Sequence, residues 1–290
     1  MENALKKRLE ILKNRARDIR RLYLERHGDG APVETGPPRT LAETAAGEEV
    51  AVGSSAAYLM NMDASSVVPD AAVLAASFSA TVAKPAWRRL LLDPRGRWGA
   101  PSHGAGPGDF CFFDIETTGL TPSTYVFLCG MMAVREGRFT IEQVFARDYS
   151  EEAGMLFYVR QMLERFPVLV TFNGASFDVP FVKARMAVAR IGYDGPSEHV
   201  DLLLPARREF GRVLPNCRLE TIERHLRGAR SESDIPGSEI PDAYHEFVRT
   251  GDARKIGRVL YHNRMDLVAM AVLFGRLLEA GPRAADGGGS

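Results

Sequence analysis

Phe112-Phe113-Asp114-Ile115-Glu116-Thr117-Thr118-Gly119-Leu120 is the stretch that decides how this chain reads. With Phe110 and Cys111 before it, the segment opens as an apolar, β-favouring run and ends in two carboxylates two residues apart. Side chains alternate faces along a strand, so Asp114 and Glu116 point the same way. Two carboxylates at the end of a buried strand repel one another and resist losing their water. A hard cation relieves both problems, which makes the pair a candidate metal site. The plainer alternative, a strand end facing solvent, sits poorly with so apolar a run before it.

Two more acidic positions fall in line with this pair. Val168-Leu169-Val170-Thr171-Phe172 reads as a second buried strand. It runs into Asn173-Gly174-Ala175-Ser176-Phe177-Asp178, a turn expected to feed a helix. Alone, Asp178 is an ordinary helix-start acid favoured by the macrodipole. Far downstream, His262-Asn263-Arg264-Met265-Asp266 is expected at the start of a strongly apolar helix. His262 and Asp266 lie four apart and share a helix face. Singly, Asp266 reads as a surface acid beside Arg264, and His262 as a core histidine. Asp201, within His199-Val200-Asp201-Leu202-Leu203-Leu204, reads as a structural acid or a support for the others.

The order Asp-x-Glu, then Asn-x-x-x-Phe-Asp, then a basic or phenolic residue four before a last Asp, resembles the DEDD exonucleases. Leu214-Pro215-Asn216-Cys217-Arg218-Leu219, Asp234-Ile235-Pro236-Gly237 and Ile240-Pro241 resemble the bacterial YprB-type branch. The resemblance covers roughly residues 109 to 279. It implies an α/β, ribonuclease H-like fold: a mixed five-stranded sheet flanked by helices. It also implies a metal-dependent 3′-to-5′ exonuclease acting on single-stranded DNA or RNA in nucleic-acid repair or processing. Two divalent cations, Mg²⁺ or Mn²⁺, would be held by Asp114, Glu116, Asp178 and Asp266, with Asp114 between them. Thr117, Thr118, Leu120 and Asn173 would face the nucleic acid, and a helicase or other repair protein is a candidate partner in trans.

One departure from the family pattern concerns the general base. One DEDD subgroup carries Tyr four before the last Asp, and another carries His five before it. Here His262 is at minus four and Tyr261 at minus five. Helical spacing favours His262 beside Asp266, with Tyr261 as the alternative. The unperturbed histidine pKa of about 6.5 suits a base working near neutrality. Two other readings stand beside the exonuclease: a non-catalytic nucleic-acid-binding or scaffold module with the same core, and an endonuclease of the same fold.

Composition bounds the rest. The chain has 290 residues, 45% hydrophobic and 26% charged, enough for one sizeable core plus an accessory segment. Its net charge of zero excludes a uniformly basic nucleic-acid binder but not a local basic surface. Cys111, Cys129 and Cys217 form no C-x-x-C pair, which argues against a zinc ribbon or a disulfide framework. There is no apolar leader and no run of eighteen apolar residues, so a reducing cytoplasm and no membrane span are expected.

The chain divides by composition. Residues 1–27 read as a basic amphipathic helix, with nine Lys/Arg against four Asp/Glu. Such a helix either touches nucleic acid or a partner, or docks on the domain. Residues 28–108 read as an Ala/Gly/Pro-rich linker, partly ordered, with a short helix around 71–80. Within it, Trp87 to Trp98 interleaves tryptophans with Arg88, Arg89, Arg95 and Arg97, as a base-stacking strip or a hydrophobic plug. Residues 109–280 are the expected domain, with strands at 110–116, 125–134, 138–145, 168–172 and 199–204. Helices are expected at 151–165 and 177–190, and a hairpin turn at Glu136-Gly137. Residues 281–290 read as a disordered tail. Residues 205–230 hold seven Arg and three Glu. Arg207, Arg208 and Arg218 among them are candidate phosphate contacts.

Overall fold

A computed structural model describes residues 36–52, 55–90, 105–230 and 234–279, without the side chain of Arg89. The helix expected over residues 1–27, the tail from 281, and Arg95, Arg97 and Trp98 lie outside these residues. The elements below belong to one unit, Pro38–Ser290. In chain order they are α1 (Leu41–Thr44), β1 (Glu48–Val52), β2 (Ser55–Asp63), α2 (Ala71–Val82), β3 (Phe110–Thr117), β4 (Val126–Arg135), β5 (Arg138–Phe145), α3 (Glu152–Leu163), β6 (Val168–Thr171), α4 (Asp178–Val188), β7 (Glu198–Asp201), α5 (Leu203–Phe210), α6 (Leu219–Arg227), α7 (Ile240–Thr250) and α8 (Arg254–Glu279).

The seven strands among the described residues join one sheet in the order β1-β2-β5-β4-β3-β6-β7. From β1 to β3 every pair is antiparallel, and β6 and β7 add parallel on the other side of β3. β4 and β5 close as a hairpin through Glu136 and Gly137, with φ of 51° and 77°. Positive φ at both turn residues matches the right-handed twist of the flanking strands.

The sheet therefore has seven strands, where five were expected. The extra pair, β1 and β2, comes from the stretch expected to be a linker. β2 buries Ala57, Tyr58, Leu59 and Met60 in succession, so it lacks the two-residue alternation that marks a half-buried strand. β1 is a short edge strand of Glu, Val and Ala, weakly patterned and easily taken for linker. α2 also comes from this stretch, and its Phe78 ring lies 5.3–5.5 Å from those of Phe110, Phe112, Phe139 and Phe274. Trp87 is 2% exposed, with its ring 4.8 Å from Phe110. It is a hydrophobic plug rather than a platform for bases.

Strand alternation splits the core. Phe110 and Phe112 pack with α2 and α8 on one face, while Cys111, Phe113 and Ile115 pack with α3 and α4 on the other. A third cluster joins α7 and the first half of α8 to Tyr58, Met60, Phe127 and Phe145, with Tyr244 stacked 4.0 Å over Phe127. Asp114 and Glu116 continue the alternation of Phe110 and Phe112, toward α8. That helix begins at Arg254, so His262 and Asp266 lie well inside it rather than at its start. Its first turns carry Arg254, Lys255 and Arg258, which disguise the beginning of a helix whose apolar part comes later. No described helix is long and apolar enough to cross a membrane.

Candidate active site

β3 delivers the first two acids. In its antiparallel register with β4, Asp114 lies opposite Gly130 and Glu116 opposite Leu128, and the pairing slips just after Glu116. Gly130 is where α8 closes on the sheet: a Cβ there would stand 2.1 Å from Asn263 Oδ1. The space this leaves is filled by a polar bridge. Asn263, fully buried, donates from Nδ2 to Asp114 Oδ2 at 2.8 Å and accepts from Gln143 Nε2 at 2.8 Å. Gln143 also donates to the Leu260 carbonyl at 2.9 Å, and its own oxygen accepts from Arg264 Nε at 2.7 Å. Buried polar groups stay buried only when paired. Here the pairs fix the rotation of α8 against β3, and with it where His262 and Asp266 point.

The turn after β6 delivers the third acid. Asn173 adopts a left-handed φ of 65°, which Asn tolerates better than most residues. Asp201, at the end of β7, accepts from the backbone N–H groups of Asn173 at 2.8 Å and Ala175 at 2.9 Å, and from Leu203 at 3.0 Å. Its carboxylate shapes the turn, as the structural reading of Asp201 expects. The turn ends at Asp178, the first residue of α4, which is 5% exposed. Asp178 Oδ1 accepts from the Ile115 backbone N–H at 3.2 Å, between the two acids of β3.

α8 brings the last pair. His262 Nε2 lies 3.5 Å from Asp266 Oδ2, while Nδ1 lies 2.8 Å from Asp234 Oδ1. Tyr261 packs against the apolar cluster on the α2 face. Arg230 reaches Asp266, Glu223 and Asp234 with separate nitrogens of one guanidinium. Asn263, Gln143, Arg230, Asp234 and Glu223 do not stand out as site residues in the sequence. Asp234 belongs to the Asp234-Ile235-Pro236-Gly237 motif, but nothing local pairs it with His262 twenty-eight residues on.

The charges feel one another strongly. Burial pushes Asp114 well above the ordinary carboxylate range, and Asp266, Glu116 and Asp178 push it further. Glu116 is raised in the same way, by burial first and then by Asp266, Asp178 and Asp234. Asp178 rises to about 7, mainly through burial, with its own N–H and that of Ile115 holding it back. Asp234 goes the other way: burial alone would raise it, but His262 and Arg230 hold it below its usual value. Burial favours the neutral ring of His262, yet its hydrogen bond to Asp234 and the charge of Asp266 leave its pKa raised.

Around this cluster, the loop after β3 uses its own hydroxyls. Thr117 donates to the Gly119 carbonyl at 2.7 Å, and Thr118 accepts from the Tyr125 N–H at 2.9 Å. Leu120 at its tip is 86% exposed. The arginines of 205–230 divide. Arg224 pairs with Glu220, Arg227 with Asp70, and Arg230 is buried. Arg207, Arg208 and Arg218 are not buried, and no ion pair joins them to another described residue.

Residues 111–278, more than half of the chain, match the family model described as RNase_H superfamily. The chain belongs to the RNase H superfamily. Its mixed sheet is an RNase H-like fold, extended at one edge by β1 and β2. Over 177 residues it is 32% identical to the uncharacterized protein YprB of Bacillus subtilis, an alignment covering 59% of this chain and 42% of YprB. It is also 31% identical over 112 residues to DNA polymerase 1 of Aeropyrum pernix, covering 32% of this chain and 12% of the polymerase. The chain spans less than half the length of either relative. Among solved structures, the family B DNA polymerase from Pyrobaculum calidifontis is similar with a TM-score of 0.48 at 17% identity, over 61% of this chain and 25% of that one.

Within this RNase H core, Asp114, Glu116, Asp178 and Asp266 form an all-oxygen donor set, and three of them are raised by burial and by neighbouring carboxylates. That chemistry fits a hard divalent cation. Among the described residues no three His, Cys, Asp or Glu side chains are already arranged to hold one. Asp266 is engaged by Arg230 instead.

Proposed function

We propose that this RNase H superfamily member is a divalent-metal-dependent 3′-to-5′ exonuclease acting on single-stranded DNA or RNA. One observation carries the reading. Acids from β3, the start of α4 and the middle of α8 face each other, and those of β3 and α4 meet no cationic side chain at hydrogen-bond distance among the described residues. Asp114, Glu116, Asp178 and Asp266 would hold two divalent ions, Mg²⁺ or Mn²⁺. Such ions, when bound, stabilise charge on phosphoryl oxygens and lower the pKa of water. If the neutral ring of His262 donates Nδ1–H to Asp234, its Nε2 would face the cluster as a proton acceptor. Asn263 holds Asp114 in place by its hydrogen bond.

The substrate class is supported by the likeness to a DNA polymerase over 112 residues and by Arg207, Arg208 and Arg218, which are open to solvent. Leu120, at the exposed loop tip beside Glu116, is a further contact, with Thr117, Thr118 and Asn173 shaping the loops it shares the site with. The order of the acids along the chain, like that of the DEDD exonucleases, is the basis for the 3′ polarity. Single-stranded DNA and RNA, each labelled at either end, together with closed circles, test the reading in Mg²⁺ or Mn²⁺. The expected result is release of the 3′ label as mononucleotides, with circles left intact. Cleaved circles would indicate an endonuclease. No cleavage of any substrate with either ion would overturn the proposal.

A further inference from the structure

Arg230 does not belong with the arginines that face solvent. Its side chain is 5% exposed, and its three nitrogens go to three acids. Nε donates to Glu223 at 2.5 Å, Nη1 to Asp234 at 3.2 Å, and Nη2 to Asp266 Oδ1. The acids come from α6, the segment before α7, and α8, so one guanidinium ties together three parts of the chain. A planar fork with five N–H donors is suited to this, where an ammonium is not. Burial works against the charge on Arg230, but Asp266 and Glu223 more than compensate and stabilise it.

The consequence falls on Asp266. Its Oδ1 accepts from Arg230, and its Oδ2 faces His262 Nε2. Both oxygens therefore face basic groups of this chain. Asp114 and Asp178 differ, since they accept from a neutral side-chain amide and a backbone N–H. A cation shared between Asp114 and Asp266 must take Asp266 from the guanidinium, or sit beside that positive charge. Like charges a few ångströms apart in a buried site repel by far more than they do in water.

We propose that Arg230 is an internal cation that competes with a divalent metal for Asp266, so that metal loading exchanges this carboxylate from the guanidinium to the ion. The inference rests on the metal-dependent reading above. It gives a role to a buried guanidinium that already neutralises part of an acid-rich site. It also makes Arg230 the residue that sets how much free metal the protein needs.

Calorimetric titration of the full chain with Mn²⁺, without substrate, tests this. Arg230→Gln removes the competitor, and its Mn²⁺ dissociation constant should fall by about tenfold or more. Arg230→Lys keeps a positive charge and should bind Mn²⁺ within a few-fold of wild type. Arg230→Gln also leaves Glu223, Asp234 and Asp266 short of a counter-charge. If it fails to fold, the double variant Arg230→Gln/Glu223→Gln, which removes one charge of each sign, should show the same tightening. Equal or weaker Mn²⁺ binding in the folded Gln variants overturns the inference and leaves the nuclease reading standing. No Mn²⁺ binding in wild type or any variant overturns both.

Discussion

The two halves of the carboxylate cluster are built on opposite electrostatic plans. Asp114, Glu116 and Asp178, carried by β3 and the start of α4, are buried acids raised by desolvation and mutual repulsion. Asp234, Asp266 and Glu223, on the α6–α8 side, share Arg230, and two of them also face His262. The first half is short of positive charge and the second carries its own. A protein gains nothing in stability from leaving acids in the first condition. On the proposed reading, the deficit marks where a cation from solution would bind. In the same reading, the provided-for half would supply the proton acceptor and the last ligand.

The largest expected effect comes from changing the deficient half. Asp114→Asn should lower turnover on a 3′-labelled strand by more than about 100-fold, the upper end of what disturbing a ligand's support costs. The fold should be retained, because Asn still accepts from Asn263. Near-wild-type activity would break the comparison outright. In the provided-for half, His262→Ala should cost roughly 10²–10⁴-fold in turnover, as loss of a general base does, with Mn²⁺ affinity changed much less. Tyr261→Phe removes only a hydroxyl from a residue packed in the apolar cluster, and turnover should stay within about twofold of wild type. A large loss in Tyr261→Phe beside a small one in His262→Ala would move the base to the phenol. The smallest effect lies outside both halves. Neutralising Arg207 and Arg208 should flatten the salt dependence of single-strand binding, by a slope of up to about 0.7 for each phosphate the pair neutralises. An unchanged slope would remove them from the strand path.

What the sequence made legible follows the same division. The strands that carry the acids announce themselves, because the apolar runs of β3 and β6 end abruptly in charge. Each of the five expected strands forms within three residues of its expected bounds. Asp266 of α8 stands close enough to raise the proton affinity of the acids of β3 and α4, with His262 beside it. The supporting residues left no such mark. Gln143 follows Glu142, and Asn263 sits between His262 and Arg264, so neither stands out from its neighbours, and their pairing depends on α8 closing against Gly130. Arg230 sits among seven arginines of similar appearance, and only tertiary packing separates it from its exposed neighbours. β1 and β2 are hidden by composition, whereas α2 forms where a short helix was expected around 71–80. Alanine-rich segments give little hydrophobic contrast, so neither period stands out.

The central claim, that the β3–α4 acids carry uncompensated charge meant for a metal, is tested most directly by chemical denaturation of wild type and Asp114→Asn across pH. The measurement is made in EDTA and again with Mn²⁺. Asp114 is raised in the folded protein above its ordinary value of 3.8, so the folded state binds its proton more tightly than the unfolded state does. Its contribution is present below pH 3.8 and is lost as pH rises through the folded value. Wild type and variant should therefore be nearly equal in stability near pH 4, and the variant should become the more stable in EDTA as pH rises toward 8. Mn²⁺ should reverse that order by stabilising wild type alone. A difference that does not change with pH, together with the same Mn²⁺ response in both proteins, would contradict the account.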